Sequence, residues 1–234
     1  MRIFAMSDIH GCLAEFEQAL TLVMEHLEER DTRLVLLGDY VHGGADSRGG
    51  VDKIMELQRK FGEDKVIALM GHHDEWVVDG TSTVEYMEVI DSAFLDESGY
   101  DDDDDCYIEW IARLPRYYQE GNTIFVHAGI EEEAGDMWEW GTSDDVFVGK
   151  YPAETGEIPN LEMKVVAGHV GTSEISGDPR FHDIFYDGAS HYYIDGTVLS
   201  SGMIPVLMVD TDEDKYYRVT ESGMWVVQPY YEEE

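Results

Sequence analysis

The sequence is poor in basic residues. It has 15 lysines and arginines against 51 aspartates and glutamates, which gives a formal net charge of −36 over 234 residues. A chain this acidic repels phosphate backbones and anionic lipid surfaces at long range, so we expect neither a nucleic acid nor a membrane as its partner. An anionic substrate would have to be attracted by a local feature of its binding site.

Cysteine is scarce as well, and Cys12 and Cys106 lie far apart in the chain. This pair matches neither a disulfide framework nor a zinc ribbon, so we interpret both as ordinary thiols. Long apolar runs are missing too, because no segment approaches the roughly 18 apolar residues that span a bilayer. Residues 1–8 lack the apolar stretch of a signal peptide. We therefore expect a cytoplasmic protein, while the sequence gives no indication of its oligomeric state.

The apolar share is large enough for a buried core, at 43% hydrophobic and 12% aromatic residues. Apolar runs typical of strands alternate with stretches whose apolar residues recur every three or four positions, as in amphipathic helices. The predicted strands lie at residues 2–7, 34–37, 66–70, 123–126 and 164–167, and alternating β-type segments follow from about residue 191. This order predicts a single α/β layered domain over residues 1–234.

Residues 80–116 interrupt the strand pattern. Two helices are predicted there, at about 84–95 and 106–114, with an acidic run at 101–105 between them. We interpret the segment as a helical cap inserted into the domain. The acidic run is more consistent with a solvated loop than with a calcium site, because unbroken aspartates lack the glycine and the spaced ligands of an EF-hand.

In five places an apolar strand ends on a residue that can bind a metal ion. These residues are Asp8 with His10, Asp39, His72 with His73, His127, and His169. A single Asp or His after a strand is usually a turn former or a hydrogen-bonded core residue, but five such strand ends are hard to assign to chance. Because ligands collect at the carboxyl ends of strands in open α/β sheets, we expect these ends to converge.

Two divalent cations could share these side chains. The first cation would be held by Asp8 and His10, and Asp39 would bridge it to the second. The remaining predicted ligands of the second cation are His72, His127 and His169. Cations roughly 3.5–4 Å apart polarise a phosphoryl group and generate a bound hydroxide at neutral pH. Nitrogen and oxygen ligands without cysteine suit manganese, iron, cobalt or zinc, and the two cations would make the site locally positive.

Five short blocks resemble the ordered motifs of calcineurin-like metallophosphoesterases, and most of all the bacterial branch of the serine/threonine protein phosphatases, alongside the diadenosine tetraphosphatases. The blocks are residues 7–11, 38–41, 71–74, 127–129 and 168–169. The resemblance implies a β-sandwich of two mixed sheets flanked by helices, a dinuclear metal centre and hydrolysis by metal-activated water. It also implies that His73 protonates the leaving oxygen. The family's ligand positions fall on Asp8, His10, Asp39, His127 and His169.

The chain departs from the family pattern at residues that bind phosphate. In the second block, His42 and Gly43 stand where the family usually has an aspartate and an arginine. In the third block, Met70 replaces another arginine, and His72 replaces a metal-binding asparagine. Residues 140–142 also lack an arginine that relatives often have there. Bidentate guanidinium contacts hold a phosphate firmly, so their loss bears directly on substrate binding.

Three residues are candidates to fill these gaps. Arg48 is the nearest replacement for a phosphate-binding arginine, although capping or solvating the helix start near Val51 explains it equally well. His42 would donate to a phosphate oxygen or orient His73, unless it is a loop histidine exposed to water. We expect His72 to bind metal because it stands in place of the asparagine, the alternative being a displaced side chain.

These observations predict a metal-dependent phosphoesterase. Its expected substrate is a phosphate monoester, either a phosphoprotein or a small phosphorylated metabolite, which is attacked by a metal-bridging hydroxide. The predicted catalytic residues are His73, Asp39 and His42. Two alternatives stay open, namely a dinucleoside polyphosphate hydrolase with similar motif blocks and a weakened pseudo-phosphatase that acts as a binding module. The missing arginines favour the pseudo-phosphatase, whereas the complete set of ligand positions argues against it.

Overall fold

Two mixed β-sheets pack face to face in the computed structural model, which describes residues 1–79 and 104–231. The strands of the first sheet are β1 (Arg2–Met6), β2 (Thr32–Leu36), β3 (Val66–Ala68), β9 (Val206–Asp210), β10 (Lys215–Thr220) and β11 (Gly223–Val226). The strands of the second are β4 (Tyr117–Glu120), β5 (Thr123–Val126), β6 (Lys164–Ala167), β7 (Phe185–Tyr186) and β8 (His191–Tyr193). The strand orders are β11-β10-β9-β1-β2-β3 and β4-β5-β6-β8-β7.

Helices cover the outer faces of the sheets. In chain order they are α1 (Leu13–Thr21), α2 (Met24–Leu27), α3 (Ser47–Phe61), α4 (His72–Asp79), α5 (Asp104–Ile111), α6 (Trp138–Gly141), α7 (Asp144–Gly149), α8 (Thr172–Ser176) and α9 (Val198–Ser201). A 3₁₀ helix, Glu132–Met137, precedes α6. No helix in the described ranges is long and apolar enough to cross a bilayer.

The period-two alternation of each strand divides the core into two layers. Ile3 and Ala5 of β1 belong to a buried cluster that also contains Phe125 and Val166 of the second sheet, so this layer fills the space between the sheets. The intervening residue Phe4 belongs to the other cluster, with α1 and α3 residues. Both faces of the central strand are therefore buried, as expected for a parallel strand covered on each side. The predicted α/β sandwich is confirmed.

Parallel pairing brings the carboxyl ends of the strands together. In the first sheet β1 pairs with β2, and β2 with β3, both in parallel. In the second sheet β5 pairs in parallel with β6. The turns that follow these five strands therefore emerge along the same edge of each sheet, and they carry the residues that the sequence picked out.

Apolar residues recur every three or four positions from Leu13 to Leu27, which predicts one amphipathic helix after β1, but the structure interrupts it. It divides into α1 and α2, because the Thr21 hydroxyl donates to the Gln18 carbonyl at 2.6 Å and competes with the helical pattern. The backbone N–H groups of Leu22 and Val23 then bond to carbonyls three residues back, at 3.1 and 2.9 Å. Such tighter hydrogen bonds are typical of a helix end.

The predicted cap is only partly described. The helix expected at 84–95 lies outside the described residues, as does most of the acidic run. The helix expected at 106–114 starts at Asp104 and ends at Ile111. It packs on α3, where the Trp110 indole donates to Gln58 at 2.8 Å. The extent of the cap and the single domain remain predictions.

Candidate metal centre

The turns after the strands have unusual backbone conformations. Of the eight residues other than glycine that have positive φ angles in the described part of the chain, five lie in these turns: Asp8 (55°), His10 (48°), Asp39 (56°), His42 (72°) and His169 (65°). Such a conformation costs on the order of 1–3 kcal/mol per residue and persists only where the surrounding structure holds it in place. Its concentration among the predicted site residues indicates that the fold fixes these side chains for a function.

Asp39 lies at the centre of the site and is fully buried. Its Oδ2 is 3.1 Å from His72 Nδ1, and its Oδ1 is 3.4 Å from His127 Nε2. His72 Nδ1 is also 3.2 Å from His169 Nδ1, which completes a group of four potential ligands. A second group contains His10, Asp39 and His73. Asp39 is common to both groups, as expected of a residue that bridges two cations.

The hydrogen bonds of two histidines show which nitrogens face the centre with a lone pair. His127 Nδ1 is 2.8 Å from the Leu37 carbonyl oxygen and must donate to it, so its Nε2 is an acceptor that faces the Asp39 carboxylate. His10 Nδ1 likewise donates to the His42 carbonyl oxygen at 3.0 Å. Burial keeps His127 neutral, so its Nε2 and the carboxylate oxygen that it faces repel each other unless a cation lies between. Backbone carbonyls that orient ligand histidines in this way are typical of metal sites.

The electrostatics of the site also fit metal binding. Burial lowers the pKa of His127 well below its usual value, and burial together with His72 lowers the pKa of His169 to about 4. Both imidazoles are therefore neutral, which is the form that binds metal. Burial and the neighbouring Asp8 raise the pKa of Asp39 well above its usual value. Asp39 Oδ2 is buried with no hydrogen-bond partner among the described residues. A bound cation would pair with this oxygen and stabilise the negative charge of the carboxylate.

Asp8 and His10 lie on one side of Asp39. His10 Nε2 is 3.8 Å from both Asp8 Oδ1 and Asp39 Oδ2. Burial alone would lower the pKa of His10, but the two carboxylates raise it above its usual value. The other oxygen of Asp8 accepts the backbone N–H of His169 at 3.0 Å, which joins the two sheets at the site.

His73 of the second group forms a pair with His42, and the Nδ1 atoms of the two imidazoles are 2.9 Å apart. His42 is buried, so the alternative of a water-exposed loop histidine is wrong. Burial and the surrounding imidazoles lower the pKa of His42 to about 4 and that of His73 to about 2. The His73 backbone N–H donates to Asp39 Oδ1 at 2.9 Å, which fixes His73 relative to the centre.

Arg48 contacts α5, the described helix of the predicted cap. Its guanidinium lies over the Tyr107 ring, 5.2 Å from the centroid, and Nε is 3.3 Å from the Tyr107 hydroxyl. Tyr107 in turn donates to Asp52 of α3 at 2.7 Å. Arg48 thus packs against α5, a contact that neither sequence interpretation of Arg48 included, and its role in binding phosphate stays a prediction. Trp76 is an aromatic residue that borders the site, because its ring lies 4.8 Å from that of His72 and 4.5 Å from that of His73.

Asp74 is a site residue to which the sequence analysis gave no role. Its buried carboxylate accepts the backbone N–H groups of Asp39 at 2.7 Å, Tyr40 at 2.9 Å and Gly71 at 3.0 Å. It thereby joins the turns after β2 and β3. Burial and Asp39 raise its pKa to about 7 against these hydrogen bonds. The sequence feature that could have identified Asp74 is its position in the first turn of α4, the helix that follows β3.

The fold and the site together define a hydrolase of the metal-dependent phosphoesterase class. Residues 1–200 match the model of the calcineurin-like phosphoesterase family, and the chain belongs to this family. Its members are metal-dependent hydrolases, and the site just described supplies a cluster of Asp and His residues that could bind metal.

The curated relatives have one activity in common. The chain is 31% identical over 133 residues to a symmetrical bis(5'-nucleosyl)-tetraphosphatase of Nitrosospira multiformis, covering 56% of this chain and 44% of the relative. It is 28% identical over 137 residues to the enzyme of the same name from Methylococcus capsulatus, with the same two coverages. The matched region thus spans less than half the length of these relatives.

Solved structures share the fold over nearly the whole chain. A putative diadenosine tetraphosphatase has a TM-score of 0.59 at 19% identity, covering 98% of this chain and 94% of its own. A cold-active protein-tyrosine phosphatase of a Shewanella species has a TM-score of 0.65 at 14% identity, covering 97% and 80%. At these identities the likeness concerns the fold alone.

Proposed function

We propose that the chain hydrolyses a phosphoanhydride bond of dinucleoside polyphosphates with two divalent cations. The observation that carries the proposal is the position of Asp39, a buried carboxylate common to two groups of potential ligands. This choice reverses the order of the two enzymatic predictions from the sequence, which put a phosphate monoester first. The curated relatives are named as tetraphosphatases, and they favour the anhydride.

The proposed ligands divide between the two cations. Asp8 and His10 serve the first cation, and Asp39 serves both. The second cation is assigned to His72, His127 and His169. Bound there, divalent cations such as manganese, iron, zinc or cobalt would polarise the phosphoryl oxygens and lower the pKa of the attacking water.

The chain's own residues orient the substrate and handle the proton of the leaving group. We assign proton donation to His73, which the Asp39 carboxylate holds through its backbone N–H. His42 is a positioning residue, because its Nδ1 contacts that of His73 and sets which of its nitrogens carries the proton. A bound phosphate beside His73 would raise the pKa of the imidazole, since a nearby negative charge favours its protonated form.

The low basicity of this histidine pair, which makes the protonated donor scarce at neutral pH, supports an anhydride over an alkyl ester. The pKa of His73 is lowered to about 2 by burial and neighbouring imidazoles, and His42 supplies no negative charge to counter this. An alkoxide leaving group needs a proton as it departs, whereas a phosphate leaving group departs as a stable anion. The catalytic demand on His73 is therefore smaller for a polyphosphate.

A parallel assay tests the proposal. Diadenosine tetraphosphate, p-nitrophenyl phosphate and a phosphopeptide are each incubated with the protein in manganese and in excess chelator. We expect manganese-dependent turnover with the highest kcat/KM for diadenosine tetraphosphate. A higher kcat/KM for the phosphopeptide would restore the monoesterase prediction. Metal binding without turnover of any substrate would indicate the binding module.

A further inference from the structure

We propose that Arg116 binds a phosphate group of the substrate and compensates for the arginines missing from the family's usual positions. The proposal rests on the proposed function, because the phosphate in question is one adjacent to the bond that is cleaved. Arg116 comes from a part of the chain outside the five motif blocks, between α5 and β4, and is therefore invisible to motif comparison.

The guanidinium lies beside two of the positions where the family usually has an arginine. Arg116 Nη1 is 2.8 Å from the sulfur of Met70, the residue that replaces the arginine of the third block. The Met70 backbone N–H donates to the Pro115 carbonyl at 2.9 Å, which fixes the approach of the two segments. Arg116 Nε is 3.7 Å from Asp144, two residues beyond the segment 140–142. A single side chain thus occupies the region between two missing arginines.

An ion pair joins the guanidinium to the helix that begins with His72. Arg116 Nη2 is 2.7 Å from Glu75 Oε1. Glu75 lies in α4 three residues after His72, and residues at this spacing are neighbours on one helix face. Glu75 therefore restrains Arg116 beside the helix face that carries the proposed ligand His72. A guanidinium restrained in this way loses less conformational freedom when it binds an anion.

The remaining donors of Arg116 have weak partners. A thioether is a poor acceptor, so Nη1 gains little from Met70. Asp144 is 72% exposed, and at 3.7 Å it lies beyond hydrogen-bonding distance of Nε. The Arg116 side chain itself is 23% exposed and thus accessible to a ligand. Phosphate oxygens would accept charge-assisted hydrogen bonds from Nη1 and Nε, while the ion pair with Glu75 keeps Nη2 in place.

The chemistry specifies a substrate with more than one phosphate. Two divalent cations held by the proposed ligands would bind the phosphoryl group that is attacked, whereas an arginine beside the helix of His72 is suited to the next group along a polyphosphate. A monoester such as p-nitrophenyl phosphate has no second phosphate for it. Arg116 is therefore a specificity-determining residue for polyphosphate over monoester.

Replacing Arg116 by Gln tests the assignment, with Arg113→Gln as a matched control. Arg113 is exposed, and its Nε donates to the backbone carbonyl of Glu109 four residues earlier, so its loss leaves the site unchanged. We expect Arg116→Gln to raise KM for diadenosine tetraphosphate about tenfold or more, with a much smaller change for p-nitrophenyl phosphate. Arg116→Lys keeps the positive charge and the ion pair with Glu75, and should recover part of the loss.

Binding of ADP provides a readout that does not depend on turnover. Calorimetric titration with ADP in excess manganese should show an affinity about tenfold lower for Arg116→Gln than for the parent and for Arg113→Gln. Equal ADP affinities would overturn the role of Arg116, as would equal losses with both substrates or a lowered Tm as the only effect. A parent that binds ADP through Arg116 but leaves diadenosine tetraphosphate intact would refute the proposed function instead.

Discussion

His10 and His127 show how single residues prepare the centre. Each donates its Nδ1 proton to a backbone carbonyl and turns Nε2 toward Asp39. The carbonyls belong to the turn after β2, which also carries Asp39, so one turn supplies a proposed bridging ligand and orients two others. The sequence identifies these histidines by their places after strands. Their tautomers follow only from the folded geometry.

Replacement of His73 by Asn tests its proposed role as proton donor. Metal content should stay unchanged, because the six proposed ligands remain. Turnover should fall by about 10²–10⁴-fold for an alkyl phosphate, which needs a proton on its leaving oxygen. It should fall less for p-nitrophenyl phosphate and for diadenosine tetraphosphate, whose leaving groups are more stable anions. Equal losses across the three substrates would remove His73 from this role.

His72→Asn tests the imidazole that replaces the family's asparagine. If His72 is a ligand, the second cation is bound by three imidazoles and a carboxylate, a set that favours iron, cobalt or zinc. An amide oxygen in its place should shift the preference toward manganese, while the protein stays folded. Metal analysis after equilibration with an equimolar mixture measures the shift. Unchanged selectivity would mean that His72 is not a ligand.

At the scale of elements, glycines at the strand ends let the carboxylates approach the backbone. A Cβ on Gly168 would lie 2.0 Å from Ser7 Oγ and 2.2 Å from Asp8 Oδ2. This glycine follows β6, whereas Ser7 and Asp8 follow β1 of the other sheet. The two sheets can therefore meet at the site only because Gly168 has no side chain.

Gly168→Ala is expected to displace Asp8 and to weaken metal binding, with a loss of at least about tenfold in activity at limiting manganese. Gly149→Ala is the matched control, because nothing lies within 4 Å of a Cβ at that position. Metal titrations of both variants measure the change in metal affinity. Parent-like affinity in Gly168→Ala would show that the contact between the sheets does not position Asp8.

The strand ends could be predicted from sequence because each joins a short apolar run to a metal-capable residue, a local signal. Elements without such a signal were missed. Tyr117 and Tyr118 belong to β4 at the edge of the second sheet, where pairing with β5 decides their conformation. Asp74 and Arg116 escaped notice since their importance lies in contacts with segments distant in the chain. The fold could thus be predicted from the sequence more fully than the residues that support the site.

At the scale of the whole molecule, a charged triad anchors the second sheet to the 3₁₀ helix. His191 of β8 lies 2.7 Å from Asp187 and 3.0 Å from Glu132. Burial alone would lower the pKa of His191, but the two carboxylates raise it to about 9. His191 is thus protonated at neutral pH and neutralises part of the acidic charge inside the fold.

The triad predicts a pH dependence of stability. Because the folded pKa of His191 lies above its unfolded value of about 6.5, its contribution is complete below pH 6.5 and is lost as pH rises through about 9. The free energy of unfolding should fall over this range by at most about 3 kcal/mol. Urea unfolding at several pH values measures it, with His191→Gln as the comparison. An equally steep decline in the variant would assign the effect to other groups.

The number of manganese ions that activate each chain tests the central claim most directly. Metal-free protein is titrated with manganese while bound metal and hydrolysis of diadenosine tetraphosphate are measured together. The account predicts two ions per chain, full activity only with both bound, and loss of metal with at least about 100-fold lower activity in Asp39→Asn. Full activity with one ion or in excess chelator would contradict it, as would an Asp39→Asn protein that keeps both metals and its turnover.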